Sequence, residues 1–336
     1  MHWAEVWSGE SAVSRALRLA LLPASWLYAG GWLGYLSVYR LGLKHPARPH
    51  RPVVCVGNLR VGGSGKTPLT LHVADVLERL GHPVVLSLSG YGSPASEAAA
   101  AAPEGPLGAE VWGDEPALVR SERPHLPIVV GRRRVLAAQI VHERWPDRVM
   151  LMDDGFQHLP LHKDVTLLLD PANPPNPWCL PAGPYREPRS GRGRATLTLD
   201  PWGAASAEGF RVVRRPLTFE PKGGARALES GEEVHAICAI GDPERFFRDV
   251  EASGLVVVER TALPDHASIP PRYLEGSVAS GRPLVVTAKD WVKLGPLVEA
   301  HGGLVHVARQ ETVVEPAHEF ERWIAQQVEK VLAQSA

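Results

Sequence analysis

Apolar positions along the chain fall into short β-branched runs separated by stretches with helical spacing. Pro52-Val53-Val54-Cys55-Val56-Gly57 is the first such run and predicts a buried strand. Leu69, His72, Val73, Val76, Leu77 and Leu80 then recur at i, i+3, i+4, i+7, one face of a helix, and Gly81 stands where that helix would be capped. Val84-Val85-Leu86-Ser87-Leu88, Pro127-Ile128-Val129-Val130, Arg148-Val149-Met150-Leu151-Met152 and residues 165–169 predict further strands. Between them lie an apolar helix opened by Gly113-Asp114-Glu115-Pro116, with Asp114 placed to N-cap it, and a basic helix over 132–143. Such alternation implies a parallel sheet with right-handed crossovers and ligands at the strands' carboxyl ends.

Residues 94–108, rich in Ala and Pro, read as a surface loop of low complexity, and the Pro/Asn/Arg-rich residues 171–194 as a long irregular segment. Residues 210–213 and 217–219 predict a pair of extended segments linking to a second unit. That unit has strands near 234–240, 255–258, 284–286 and 304–307, and a C-terminal helix over about 316–332. In Gly241-Asp242-Pro243, Asp242 is an N-cap candidate with Pro243 at the first helical position.

The apolar pattern differs at the N-terminus. Residues 19–39 hold no charge and carry Trp26, Tyr28, Trp32, Tyr35 and Tyr39, with Arg15, Arg18, Arg40 and Lys44 at the flanks. A helix in the membrane face, a true span and an apolar helix buried in the protein all fit, although Pro23, Gly30, Gly31 and Gly34 weaken a span. Glu5 and Glu10 argue against a cleavable leader.

At 336 residues and 44 % hydrophobic content the chain is long enough for two domains, and a net charge of −1 excludes a globally basic nucleic-acid binder. Cys55, Cys179 and Cys238 lack metal-ligand spacing and read as small buried hydrophobes.

The chemistry starts between the first strand and helix, at Arg60-Val61-Gly62-Gly63-Ser64-Gly65-Lys66-Thr67-Pro68. Strand, glycine loop, Gly-Lys-Thr and helix make a P-loop, although Arg60 stands where its first glycine is usual. Gly62, Gly63, Ser64 and Gly65 would cradle phosphates, Lys66 would bridge the outer ones and Thr67 would hold Mg²⁺. Two acids after a strand also describe a solvated turn. Downstream of a P-loop, Asp153-Asp154 become a Walker-B position serving the metal. Asp114 and His266, in Pro264-Asp265-His266, are candidates for positioning an alcohol and taking its proton.

The combination resembles the tetraacyldisaccharide 4′-kinases of lipid A biosynthesis. The carrying strings are Val56-Gly57-Asn58 with the P-loop, Gly113-Asp114-Glu115-Pro116, Asp153-Asp154-Gly155-Phe156-Gln157-His158, residues 180–188, Gly241-Asp242-Pro243-Glu244-Arg245-Phe246, Pro264-Asp265-His266 and Thr287-Ala288-Lys289-Asp290. The resemblance implies a P-loop NTPase-like core with helices on both faces, a smaller α/β domain on a β linker, and an N-terminal membrane-associated helix. The expected boundaries are 1–48, 49–208, 209–222 and 223–336. It also implies an enzyme on the cytoplasmic face of the bacterial inner membrane, peripheral or anchored by one helix. With ATP and Mg²⁺ it would phosphorylate the 4′-hydroxyl of a tetraacyl diglucosamine 1-phosphate, with no obligatory protein partner.

By the family's pattern Asp114 and His266 act as a pair, with Lys66 and Asp154 at the transferring phosphate. Glu115, Gln157, His158 and Arg186 are substrate-binding candidates. Arg186, Arg189, Arg192 and Arg194 could clamp the 1-phosphate, and Arg132, Arg133 and Arg134 could attract anionic headgroups. Ser89, Ala267 and Ala288 depart from the usual Arg, His and Glu. A partner-switching P-loop ATPase, which usually carries a lysine at the position of Val61, and a kinase of another membrane alcohol stay open.

Overall fold

The computed structural model describes residues 3–62, 65–90, 92–265, 267–301 and 303–335. Helices α1 (Trp3–Ser8) and α2 (Ala12–Arg40) precede a sheet built from β1 (Val53–Asn58), β2 (Val84–Leu88), β3 (Ala100–Ala101), β4 (Ile128–Val130), β5 (Val149–Asp153), β6 (Val165–Leu169) and β7 (Leu197–Leu199). Its order is β3-β4-β2-β5-β1-β6-β7, parallel except for the β3 edge. Every residue of β1, β2, β5 and β6 is buried, as their near-continuous apolar runs demand of a sheet covered on both faces.

α3 (Lys66–Arg79) and α5 (Asp114–Glu122), the latter entered through the short α4 (Ala109–Trp112), cover one face. α6 (Arg134–Arg144) covers the other. The Ala-rich 94–108 segment is therefore not wholly loop. Ala100 and Ala101 pair with Val130 and Val129. The backbone of residues 98 and 99 lies so close that a Cβ on Gly131 would sit 2.5 Å from the Ala98 carbonyl oxygen.

β8 (Arg211–Arg214) and β9 (Thr218–Lys222) leave the first sheet. β10 (Glu233–Cys238), α7 (Pro243–Ala252), β11 (Val256–Ala262), α8 (Arg272–Ser280), β12 (Leu284–Thr287), α9 (Ala288–His301) and β13 (Val305–Arg309) follow. The second sheet has the order β11-β10-β12-β13-β9, with β9 antiparallel at its edge. Asp242 caps α7 by accepting the Arg245 N–H, and Pro243 opens the helix. The chain then returns to the first unit. β14 (Thr312–Glu315) pairs with β8, and Phe320, Ile324 and Val328 of α10 (Ala317–Ser335) join the core of the first sheet with Phe210 and Val212. The last part of the expected 223–336 unit thus packs beside α3.

α2 has 29 residues, yet among the described residues no helix is long and apolar enough to cross a membrane, which removes the spanning reading. Its uncharged face serves partly for docking. Ser25 Oγ donates to the Cys179 carbonyl and accepts the Ala182 N–H, both at 2.9 Å, while Tyr28 Oη donates to the Arg186 carbonyl. All three cysteines are free and buried.

Candidate active site

β1 runs without exposure into Leu59, and the next residues are strapped from outside. Arg186 N–H donates to the Leu59 carbonyl at 2.7 Å and Val61 N–H to that of Pro184 at 2.8 Å. Gly62 at φ +101° and Gly65 at φ +82° supply backbone that other residues rarely adopt. Gly63 and Ser64 lie outside the described residues. Gly65 is the N-cap of α3 and Lys66 its first residue, which points the helix's unpaired N–H groups and positive end at the loop.

β5 ends against that loop. Asp153 is buried and accepts from Thr67 Oγ1 at 2.8 Å and Thr70 Oγ1 at 3.1 Å. Burial pushes its carboxyl above the ordinary range despite Lys66 and these hydroxyls. Asp154 sits at φ +53°, the only non-glycine residue with positive φ among those described, a strain of the kind that clusters at functional sites. Arg186 grips it in a fork of 2.9 and 3.1 Å, and Lys66 Nζ lies 3.7 Å away. Burial alone would raise Asp154, but Lys66, Arg186 and Arg134 together hold it below the usual carboxylate range. Glu115 faces the same cluster, and burial followed by Asp153 raises its carboxyl.

Thr67, Asp153 and Asp154 thus offer oxygen donors suited to a hard cation. Among the described residues no group of three or more His, Cys, Asp or Glu forms a protein-only cage. That is how Mg²⁺ sites are commonly built, from one or two carboxylates completed by phosphates and water. The residues fit the ion.

The string after β5 is folded by contacts its residue types require. A Cβ on Gly57 would lie 2.6 Å from Phe156 Cβ, and one on Gly155 would lie 2.5 Å from Met152 Cε, so both glycines are closely packed. Lys163 Nζ donates to the His158 carbonyl at 2.7 Å, pinning the loop from below. Gln157 Nε2 bonds the Asn58 carbonyl and Glu187, while its Oε1 has no partner among the described atoms. His158 Nε2 is likewise buried and unpartnered there. Burial, then Lys163 and Arg134, lower its imidazole to about 4, so it stays neutral. Gln157 and His158 therefore carry no charge into this cluster.

The expected arginine clamp is not formed by four open guanidinium groups. Arg186 is on Asp154, Arg189 bonds Asp170 at 2.8 Å, and Arg194 bonds Glu187. Arg192 lies 3.9 Å from Asp170. Arg134 is no headgroup contact either. It is buried and donates to Ser87 Oγ and the Asp153 carbonyl.

Asp114 departs from its expected capping role. Gly113, at φ +94° and placed so that an added Cβ would lie 3.5 Å from Gly90, is the N-cap of α5, and no side chain bonds the cap. The Asp114 carboxylate instead accepts from Lys293 Nζ of α9 at 2.8 Å, across the two sheets. Arg309 of β13 makes the matching contact at the far end of α5, bonding Glu122 at 2.6 Å. His266 lies outside the described residues. Its neighbour Asp265 accepts from Lys289 at 2.9 Å, and the buried Asp290 accepts from Ala239 N–H and Thr287 Oγ1, fixing the turn into α9. Lys293 and Arg214 escaped the sequence reading. Lys293 stands one helical turn after Lys289, a weak signal. Arg214 has no local signal, yet a Cβ on Gly65 would lie 3.3 Å from its Nη2.

Comparison with known proteins agrees with this geometry. The family described as tetraacyldisaccharide-1-P 4′-kinase, LpxK, matches residues 17–329. A tetraacyldisaccharide 4′-kinase of Pelobacter propionicus is 36% identical, over 93% of this chain and 94% of its own length. One of Verminephrobacter eiseniae is 35% identical, over 83% of this chain and 66% of its own. The crystal structure of LpxK from Aquifex aeolicus, described as an "apo" form in complex with ATP, superposes with a TM-score of 0.77 at 27% identity. The match covers 93% of this chain and 99% of that one. These matches retire the partner-switching ATPase. With a family model matched over residues 17–329 and a relative 36% identical over 93% of the chain, the protein belongs to the tetraacyldisaccharide 4′-kinase family of lipid A biosynthesis.

Proposed function

We propose that the chain transfers the γ-phosphoryl group of ATP to the 4′-hydroxyl of a tetraacyl diglucosamine 1-phosphate, releasing ADP. The observation that carries this reading is Asp114, held at the head of α5 by Lys293 and followed in the chain by Glu115, whose carboxyl feels Asp153, Lys66 and Asp154. The Asp114 carboxylate takes the hydroxyl proton as the oxygen attacks the γ-phosphorus, and His266 orients it. Lys66 and the N-terminus of α3 hold the outer phosphates. Arg186 fixes Asp154, and neutral Gln157 and His158 border the acceptor side. Mg²⁺, when bound, would neutralise charge on the phosphates, held by Thr67, Asp153 and Asp154.

A four-chain lipid stays in its bilayer, so the enzyme works at the membrane face, and its need for ATP places it on the cytoplasmic side. The exposed Trp26, Leu27, Leu33 and Tyr35 of α2 support peripheral attachment there. The expected 49–208 core, 209–222 linker and second unit then act as two lobes that close over the nucleotide.

Asp114→Ala tests the role assigned to the base. Turnover should fall by about 10²–10⁴-fold with ADP binding retained. Unchanged turnover removes Asp114 from the mechanism.

A further inference from the structure

α2 is tied to the catalytic half of the molecule more closely than attachment to a lipid surface requires. Ser25 is 1% exposed, although the next two residues, Trp26 and Leu27, are 59% and 79% exposed. Tyr28 and Ala29 follow Ser25 at i+3 and i+4, so the three share one side of the helix. Ala29 packs on a small apolar cluster of Leu59, Phe156, Leu168, Cys179 and Tyr185. Leu59 leads from β1 into the phosphate loop, and Phe156 stands two residues after Asp154.

The polar contacts converge on residues 178–186. This segment closes on itself: Leu180 N–H donates to the Tyr185 carbonyl at 2.9 Å, and Gly183 N–H to that of Cys179 at 3.0 Å. Ser25 Oγ bridges the same turn, donating to the Cys179 carbonyl and accepting the Ala182 N–H. α1 adds Trp7, whose Nε1 donates to the Pro181 carbonyl at 2.9 Å.

The Arg186 backbone is then held from both sides, its N–H by the Leu59 carbonyl and its own carbonyl by Tyr28 Oη at 2.8 Å. Trp32 Nε1 donates to Tyr28 Oη at 3.0 Å, which leaves the hydroxyl hydrogen for Arg186. Arg186 in turn grips Asp154, and a two-bonded fork of this kind requires its backbone to keep its place.

We infer that α2, besides the lipid-facing role proposed above, is part of the scaffold of the reacting centre. Ser25 and Tyr28 are positioning residues that hold the 178–186 segment so that Arg186 meets Asp154. The inference rests on the kinase reading and gives α2 a task that apolar surface alone cannot perform. A helix used only for attachment would lose nothing on exchange of the Tyr28 hydroxyl for hydrogen, since Phe is no less apolar.

Two assays separate the tasks. Flotation on vesicles of phosphatidylethanolamine and phosphatidylglycerol reads attachment. Transfer of label from ATP to saturating tetraacyl diglucosamine 1-phosphate in mixed micelles reads kcat. Tyr28→Phe should float as the wild type does while kcat falls by about 2- to 10-fold, the scale of one hydrogen bond. Ser25→Ala leaves two buried backbone groups unpaired, so kcat should fall by about 5- to 100-fold with flotation again unchanged. Either change should add little to Arg186→Ala, because both act through Arg186. Unchanged kcat in both variants overturns the inference and leaves the kinase reading standing. Full additivity with Arg186→Ala overturns it as general damage to the fold, and so does a loss of flotation that accounts for the lost turnover. A wild type that floats yet labels no lipid removes the reaction itself, and the inference with it.

Discussion

Replacing Lys293 by methionine removes one charge from the contact with Asp114 that joins α9 to the head of α5, and keeps most of the side chain's length. Lys293 and Asp114 meet at 2.8 Å with side chains 22% and 11% exposed, so the pair is neither a solvated surface bridge nor fully buried. A hydrogen bond to a charged group in that setting contributes about 1.5–3 kcal/mol. The Glu122–Arg309 contact at 2.6 Å remains, so α5 stays docked at its other end. The loss falls on the head of α5, where Asp114, the base proposed above, sits. Converted at 1.4 kcal/mol per decade, it lowers the population of the closed arrangement by roughly 10- to 150-fold, and kcat/KM with it. Removing the neighbouring cation also raises the pKa of the Asp114 carboxyl, so the acid limb of the kcat/KM profile moves to higher pH. The assay is steady-state phosphoryl transfer across pH for wild type, Lys293→Met, Asp114→Asn and the double variant, with thermal unfolding as the control for folding. A Lys293→Met enzyme with unchanged kcat/KM and an unshifted acid limb would refute the coupling of α9 to the base.

Two further predictions concern the scaffold. Gly57→Ala places a Cβ 2.6 Å from that of Phe156, an overpacking that costs about 1–3 kcal/mol and pushes the loop after Asp154 outward. The denaturant midpoint should fall and ADP binding weaken, whereas a normal midpoint would show that the loop yields freely. His72 of α3 accepts the Val314 N–H at 3.2 Å, and burial, followed by Arg79, lowers its imidazole from 6.5 to about 4. A folded pKa below the unfolded one gives stability that is present above about pH 6.5 and lost as pH falls toward 4, up to about 3 kcal/mol. Denaturant midpoints between pH 7 and 4 should drop more steeply for wild type than for His72→Gln, and parallel slopes would contradict this.

The strands were legible where sequence and burial speak the same language. The runs at 53–58, 84–88, 149–153 and 165–169 are apolar because both faces of the sheet are covered. β3 was not legible, since Ala100 and Ala101 carry none of the β-branching that marks a strand. α2 reads as lipid-facing because docking through Ser25 and Tyr28 needs no charge, so composition cannot separate that from a membrane. The sequence announced a helix over about 316–332, but not that Phe320 and Ile324 of α10 pack on the first sheet.

The same division holds at the site. Lys66, Thr67, Asp153 and Asp154 are close in space because a strand–loop–helix and its neighbouring strand place them there, and such local logic survives in sequence. Lys293 at Asp114, Arg214 at Gly65 and Trp202 beside Arg60 are tertiary meetings that no spacing encodes. The arginines of 186–194 show the converse. Their spacing invites an anion, and the fold gives Arg186, Arg189 and Arg194 buried or partly buried carboxylates.

The most direct test of phosphoryl transfer at this site uses γ-labelled ATP with Mg²⁺ and a tetraacyl diglucosamine 1-phosphate in mixed micelles, wild type beside Lys66→Ala. Label should appear on the lipid with the wild type and be lost with the variant. Wild-type enzyme that binds ATP and leaves the lipid unlabelled would contradict the assignment of this acceptor.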